Sequence, residues 1–220
     1  MSNSSRKPRA AGRPPGDTGD RTRGEILDAA LDAFAESGFE ATSVRELTRR
    51  LGVSHNLVHH HFGAKQDLWR AALDHGLGAT ADELFELLGS SVGGPNPVEV
   101  VREGVERAMA LLRRRPAVAR ILADESARSG PRLDYLYDRY LKPGLGILHR
   151  FLAGARDQGL RDIDSRVAVL FVLSTASALL THSALAEKLG LGASAQRRYA
   201  ASLVDLMLGG LATAEDPANA

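Results

Sequence analysis

Thr42 to Phe62 reads TSVRELTRRLGVSHNLVHHHF, and it holds two helix-start signals close together, Ser43 and Ser54, with Gly52 between them. Ser43-Val-Arg-Glu46 has the form of a capping box, in which a hydroxyl and a carboxylate satisfy the first free backbone N–H groups. Ser54 is a preferred N-cap residue. Glycine tolerates the left-handed conformation that ends a helix and turns the chain. Two helices of about two turns each are all this spacing allows. Val44, Leu47 and Leu51 recur at i, i+3 and i+7, and Val53, Val58 and Phe62 supply the facing apolar positions. The segment is therefore a helix-turn-helix whose inner face fixes the crossing angle and whose second helix turns an outer face to something else. By itself such a corner is a weak signal, since helical enzymes contain many.

Beyond this segment the apolar periodicity stays helical, and no stretch combines sustained alternation with β-branched enrichment. The expectation is an all-α protein of about nine helices: an N-terminal three-helix unit followed by a larger C-terminal helical domain. A first helix is predicted from about Arg21 to Ser37, with Thr22 to Glu25 as a capping box, Asp20 as a rival cap and Gly38 as the stop. The fourth helix follows Gly63-Ala-Lys-Gln and carries Leu73, Leu77, Leu84 and Leu88 on one face. A fifth runs from about Val98 to Arg114 after the loop GSSVGGPNP. A sixth opens at Pro116, a seventh spans 132–158 and is kinked or broken at Pro143, an eighth runs from Asp164 or Ser165 to about Leu189, and a ninth spans 194–212. The domain boundaries follow: a disordered basic arm at 1–19, a helix-turn-helix domain at 20–66, a ligand-binding and dimerisation domain at 67–215, and a tail at 216–220.

Net charge is only +1, but its distribution is uneven. Arg6, Lys7, Arg9 and Arg13 give residues 1–13 a net of +4. Seven acids against Arg21 and Arg23 give residues 14–40 a net of −5, and Arg45, Arg49, Arg50 and Lys65 against Glu46 give residues 41–65 a net of +3. Two basic segments flank an acidic one, which is a polar organisation that the total conceals. The absence of cysteine excludes disulfides, thiol nucleophiles and zinc-finger ligation. No apolar h-region follows the basic N-terminus, and the run Val167 to Leu180 is shorter than a membrane span requires. A soluble, cytoplasmic protein is expected, associated with the nucleoid when bound to DNA.

His55, His59, His60 and His61 invite a metal-site reading. Consecutive helical residues point about 100° apart, so His59, His60 and His61 fan out and cannot converge on one ion. His55 and His59 share a face, but Asn56 stands where the hydrolase motif needs glutamate, and no third ligand is evident. Neither a metal nor a cofactor is expected. His60 suits a solvated helix face as well as a phosphate, and His61 can simply pack before Phe62.

At matching spacing the chain supplies Ile26-Leu27, Phe34 with Gly38-Phe39, Thr42-Ser43-Val44, Gly52-Val53-Ser54, Phe62, and Lys65 with Leu68. From about Arg21 to Trp69 it thus resembles the tetracycline-repressor (TetR) family of bacterial regulators. The resemblance implies a transcriptional regulator, usually a ligand-responsive repressor, that binds a palindromic operator in double-stranded DNA as a homodimer. Positions then acquire expected roles. Thr42, Ser43 and Ser54 sit at helix N-termini that suit a phosphate. Arg45 reaches a base or a phosphate, and His55 and Asn56 read bases, asparagine pairing with adenine in bidentate fashion. His59, His60 and Lys65 are phosphate candidates. His59 departs from the family pattern, which has a tyrosine there that commonly bonds a phosphate. Histidine donates more strongly when protonated, so operator binding is expected to weaken as pH rises.

The resemblance further implies that the last two helices pair across a two-fold axis, with Phe171, Leu179, Leu203, Leu206 and Met207 as interface candidates. It also implies an enclosed pocket for a small-molecule effector, largely apolar and of unknown identity, with Trp69, His75, Phe85, Tyr135, Tyr137 and His149 as candidate lining. The N-terminal Ala-Gly-Arg-Pro partly matches the Arg-Gly-Arg-Pro core of minor-groove hooks; the arm either enters the groove or stays a solvated tail. The competing reading, an all-α enzyme or metal-binding helical protein, lacks a convergent catalytic set. No enzymatic activity and no membrane partner are expected.

Overall fold

The computed structural model describes residues 17–158, 162–181 and 183–190, with Ser202, Asp205 and Gly209 as single helical positions beyond them. Among the described residues every regular element is helical, in agreement with the all-α expectation. The order is α1 (Asp17–Ala41), α2 (Val44–Leu51), α3 (His55–Phe62), α4 (Lys65–Ser90), α5 (Pro97–Arg114), α6 (Pro116–Ser126), α7 (Pro131–Leu136), a π-helical turn (Tyr137–Leu141), α8 (Lys142–Ala155), a 3-10 turn (Arg156–Gln158), α9 (Ser165–Thr181) and α10 (Ser183–Lys188).

Three boundaries differ from the sequence reading. Helix α1 opens at Asp17, so Thr22 lies inside the helix and neither it nor Asp20 caps it. Gly38, at φ 75°, breaks α1 at the predicted stop, and a short helical stretch continues to Ala41. The predicted seventh helix is divided by the π-helical turn that ends just before Pro143. Proline has no N–H and its ring crowds the carbonyl four residues earlier, so the preceding turn widens to the i→i+5 spacing. The predicted eighth helix appears as α9 and α10. Of the predicted ninth helix only Ser202, Asp205 and Gly209 are described, each as helical; Leu203, Leu206 and Met207 lie outside the described residues, as do the basic arm up to residue 16 and the side chain of Leu179.

One core joins the first three helices to the rest. Ile26, Leu27, Ala30, Leu31 and Phe34 of α1 are buried against Leu68, Trp69, Ala72 and Leu73 of α4 and against Ala117, Val118 and Ile121 of α6. Each fully buried large apolar side chain contributes about 1.5–3 kcal/mol. The three helices meet at Gly76: a Cβ there would stand 2.8 Å from Leu31 Cδ2 and 2.9 Å from Val118 Cγ2, so any larger residue would have to displace those methyl groups. A second, smaller core gathers Phe151, Leu152 and Ala155 of α8 with Leu88, Val98 and Val101.

Polar ties pin α1 to the larger body. Asp28 pairs with His75 of α4 at 3.1 Å and with Arg115, between α5 and α6, at 2.9 Å. At the other end of α1 the Phe39 ring carries two cations, Lys65 Nζ at 4.6 Å from its centroid and the Arg132 guanidinium at 4.3 Å. Further along α4, Asp74 Oδ1 accepts hydrogen bonds from both Tyr135 and Tyr140. On α9, Val167, Leu170 and Phe171 are all exposed, at 61%, 66% and 41%.

Candidate nucleic-acid interface

The corner formed by α2 and α3 is built from its caps. Ser43 Oγ accepts the Glu46 N–H at 3.3 Å, and Ser54 Oγ accepts the Leu57 N–H at 3.0 Å. Gly52 adopts the left-handed conformation at φ 67°, its N–H bonding to the end of α2. The Val53 N–H then reaches Thr48 O at 3.1 Å, which closes the turn. Leu47, Val58 and Phe62 are buried beneath, so the angle between the helices is set by packing as well as by hydrogen bonds. Each serine is used as an acceptor by its own helix and keeps its hydroxyl proton, so Ser43 and Ser54, both exposed, can still donate to an anion.

Thr42 is a correction. It is buried at 6% exposure, and its hydroxyl is directed to the carbonyls of Gly38 at 2.7 Å and Ala33 at 3.1 Å. It clamps the broken end of α1 instead of facing outward, because the Gly38 break leaves carbonyls without helical partners. Lys65 is half-buried and also committed in part: Nζ donates to the Glu40 carbonyl at 3.0 Å while lying over Phe39. Two of its three N–H groups remain for another acceptor.

Arg45, His55, Asn56, His59 and His60 are exposed, as the sequence reading requires of groups that touch a partner. His59 is nonetheless fixed: its Nδ1 lies 2.9 Å from the Gly63 carbonyl, which can only accept, so Nδ1 carries the proton and Nε2 points away from that bond. His60 and His61 meet edge to face at 5.5 Å, and His61 lies 6.2 Å from Phe62.

Two features were not read from the sequence, although the first is an i, i+3 pair within one helix. Arg49 forms a two-point pair with Glu46, at 2.6 and 2.9 Å, so one of the α2 arginines is neutralised. Its hydrogen bonds hold the Glu46 carboxyl below the usual carboxylate range. Arg23, from α1, lies 5.1 Å over the Phe62 ring and brings a further cation to the end of α3. The corner carries Arg45, Arg50, Lys65 and four exposed histidines, and the carboxylate of Glu46 is engaged by Arg49. Among the described residues no three His, Cys, Asp or Glu side chains group as a metal site.

The six residues expected to line an effector pocket do not form one: Trp69 and Tyr135 meet edge to face at 6.0 Å, but the others serve elsewhere. Trp69 is buried in the main core, and His75 pairs with Asp28. Phe85 packs against Gly144, Tyr135 bonds Asp74, Tyr137 is 45% exposed, and His149 is exposed. The correction has a simple cause: tyrosine and histidine serve equally well as interhelical ties, and sequence spacing does not distinguish the uses. A cavity of about 320 Å³ lies elsewhere, between the end of α1 and helices α6 and α7, with Trp69 the only one of the six on its wall. Its lining includes Phe39, Glu40, Glu125 and Arg132, and Arg132 pairs with the buried Glu125 at 2.7 Å. Of the predicted dimer residues with described side chains, Phe171 is exposed on α9.

Comparison with known proteins agrees with this geometry. Residues 26–72 match the model of the bacterial regulatory proteins of the tetR family. The repressor Rv3405c of Mycobacterium tuberculosis is 43% identical over 82 residues, covering 37% of this chain and 39% of its own. The matched segment thus spans well under half of that relative. The repressor KstR2 of Rhodococcus jostii is 29% identical over 171 residues, covering 73% of this chain and 78% of its own. Over 94% of this chain and all of the other, the fold is similar to the ketosteroid regulator KstR2 of Mycobacterium tuberculosis, with a TM-score of 0.65 and 26% identity.

Proposed function

We propose that this chain, whose residues 26–72 match the model of the bacterial regulatory proteins of the tetR family, is a transcriptional repressor binding a two-fold symmetric operator as a homodimer. The observation that carries this reading is the corner itself. Two serine caps, the Gly52 turn and a buried apolar face hold α3 rigidly, while its outer face is polar, basic and uncovered. A rigid short helix that turns hydrogen-bonding side chains outward fits the major groove, and exposed cations beside it fit the flanking phosphates.

One such corner offers a small contact area, and pairing two copies is the usual remedy. The exposed apolar row Val167, Leu170 and Phe171 on α9 supports that pairing. Release of DNA is assigned to a small, largely apolar effector bound among the C-terminal helices, a class supported by the name of the ketosteroid regulator KstR2.

Coupling would run through α4, which starts beside α3 and continues for 26 residues into the larger body. Its first residue, Lys65, shares the Phe39 ring with Arg132 of α7, so a shift of α7 is felt at the DNA edge. An effector can shift the equilibrium only by its differential affinity for the two arrangements. Selection from random duplex DNA tests the reading: an enriched inverted repeat supports it, and no enrichment removes it.

A further inference from the structure

We propose that Leu57 is a base-specificity determinant whose side chain packs on the C5-methyl group of a thymine in each operator half-site. The assignment rests on the operator reading above and deepens it.

The inward direction of α3 is fixed by Val58 and Phe62, at 1% and 7% exposure. At about 100° per residue, Asn56 and His60 fall nearly opposite that direction, and Leu57 lies beside them, about 60° from the outermost line. His59 and His61 fall on the two flanks, about 80° from the inward line. The most outward third of α3 is therefore Asn56, Leu57 and His60, two polar groups and one leucine.

Leu57 is 37% exposed. Every other large apolar residue of α2 and α3 is buried or half-buried: Val44, Leu47, Leu51, Val58 and Phe62, with Val53 in the turn. A solitary surface leucine is ordinary elsewhere. Here it stands beside Asn56 and His60, on a face otherwise given to hydrogen-bonding side chains. In the major groove the apolar feature among the base edges is the thymine methyl, and aliphatic side chains read thymine by contact with it. Asn56, one residue away, has the amide that matches adenine. The two side chains together select an A·T-containing stretch, one by hydrogen bonds and the other by an apolar contact.

The test replaces each thymine of the selected operator, one symmetric pair at a time, by deoxyuridine, which deletes the methyl and leaves base pairing intact. For the unaltered protein, one such replacement should weaken binding about fourfold per half-site, the effect of one buried methyl-sized group. Leu57→Ala should bind the thymine and deoxyuridine operators equally well, and Leu57→Met should restore the discrimination in part. An operator indifferent to every thymine methyl overturns the assignment alone, as does a Leu57→Ala protein that keeps the same methyl sensitivity. Failure to enrich any operator removes the operator reading and this assignment with it.

Discussion

His59 donates its Nδ1–H to the carbonyl of Gly63, 2.9 Å away, across the C-terminal end of α3. The other nitrogen, Nε2, then decides what the residue can offer a phosphate. In the neutral ring Nε2 is a lone pair and repels a phosphate oxygen; in the imidazolium it is a donor. Operator affinity should therefore be higher in acidic than in alkaline buffer. His55, His60 and His61 are exposed on α3 too, so the comparison is with His59→Tyr, in which those three remain. The unaltered protein should lose more affinity with pH than the tyrosine variant, and coincident profiles would contradict this role.

Asn56 lies about 40° from the outermost line of α3 and is exposed. Asn56→Ala should cost about 1–3 kcal/mol on the selected operator and relax preference at one base position per half-site. Binding to unrelated DNA should hardly change, because that binding depends on phosphates. A variant with an unchanged base preference would show that Asn56 does not read DNA.

Gly76 allows α1, α4 and α6 to meet. Alanine would gain up to about 1 kcal/mol of helix propensity, but its Cβ would lie under 3.0 Å from Leu31 and Val118. Overpacking of this kind costs about 1–3 kcal/mol. Gly76→Ala should lower the urea midpoint with little change in slope, whereas a stabilised variant would mean that the helices part easily there.

Tyr135 and Tyr140 share the Oδ1 of Asp74. Burial, and then donation to a carboxylate, pushes the Tyr135 phenol up to about 12 and Tyr140 higher still. Their folded values lie above the ordinary tyrosine value of about 10. The stabilisation is therefore complete below that pH and is lost as pH rises through the folded values. In a spectroscopic titration, two of the four tyrosines should resist ionisation until the protein unfolds in alkali. Asp74→Asn, which removes the charge, should lower that alkaline midpoint. All four ionising together in the folded protein would be the opposite result.

Local chemistry made the reading corner legible in the sequence. Ser43, Gly52 and Ser54 act within a few residues of themselves, and Val58 and Phe62 follow from periodicity, so spacing alone located them. Thr42 was misread because a threonine at a helix start suits a phosphate or a buried carbonyl equally well, and only the Gly38 break decides which. The ties that join the two ends of the molecule had no sequence signal. Asp74 meets tyrosines 61 and 66 residues away, and Asp28 meets Arg115 across 87 residues. Such pairs depend on how the helices cross, which the apolar pattern of each helix does not specify. The cavity beside Phe39 was missed for the same reason, since its wall comes from four separate helices.

The central claim is that two copies of α3 read two symmetric half-sites. Its most direct test is the affinity for the selected inverted repeat beside the same duplex with one half-site scrambled, at one fixed salt concentration. Two protomers should occupy the intact site, and scrambling one half-site should cost at least about a hundredfold, in line with about 1–3 kcal/mol per mismatched base pair. Equal affinity for the two duplexes, or one protomer bound to each, would contradict it.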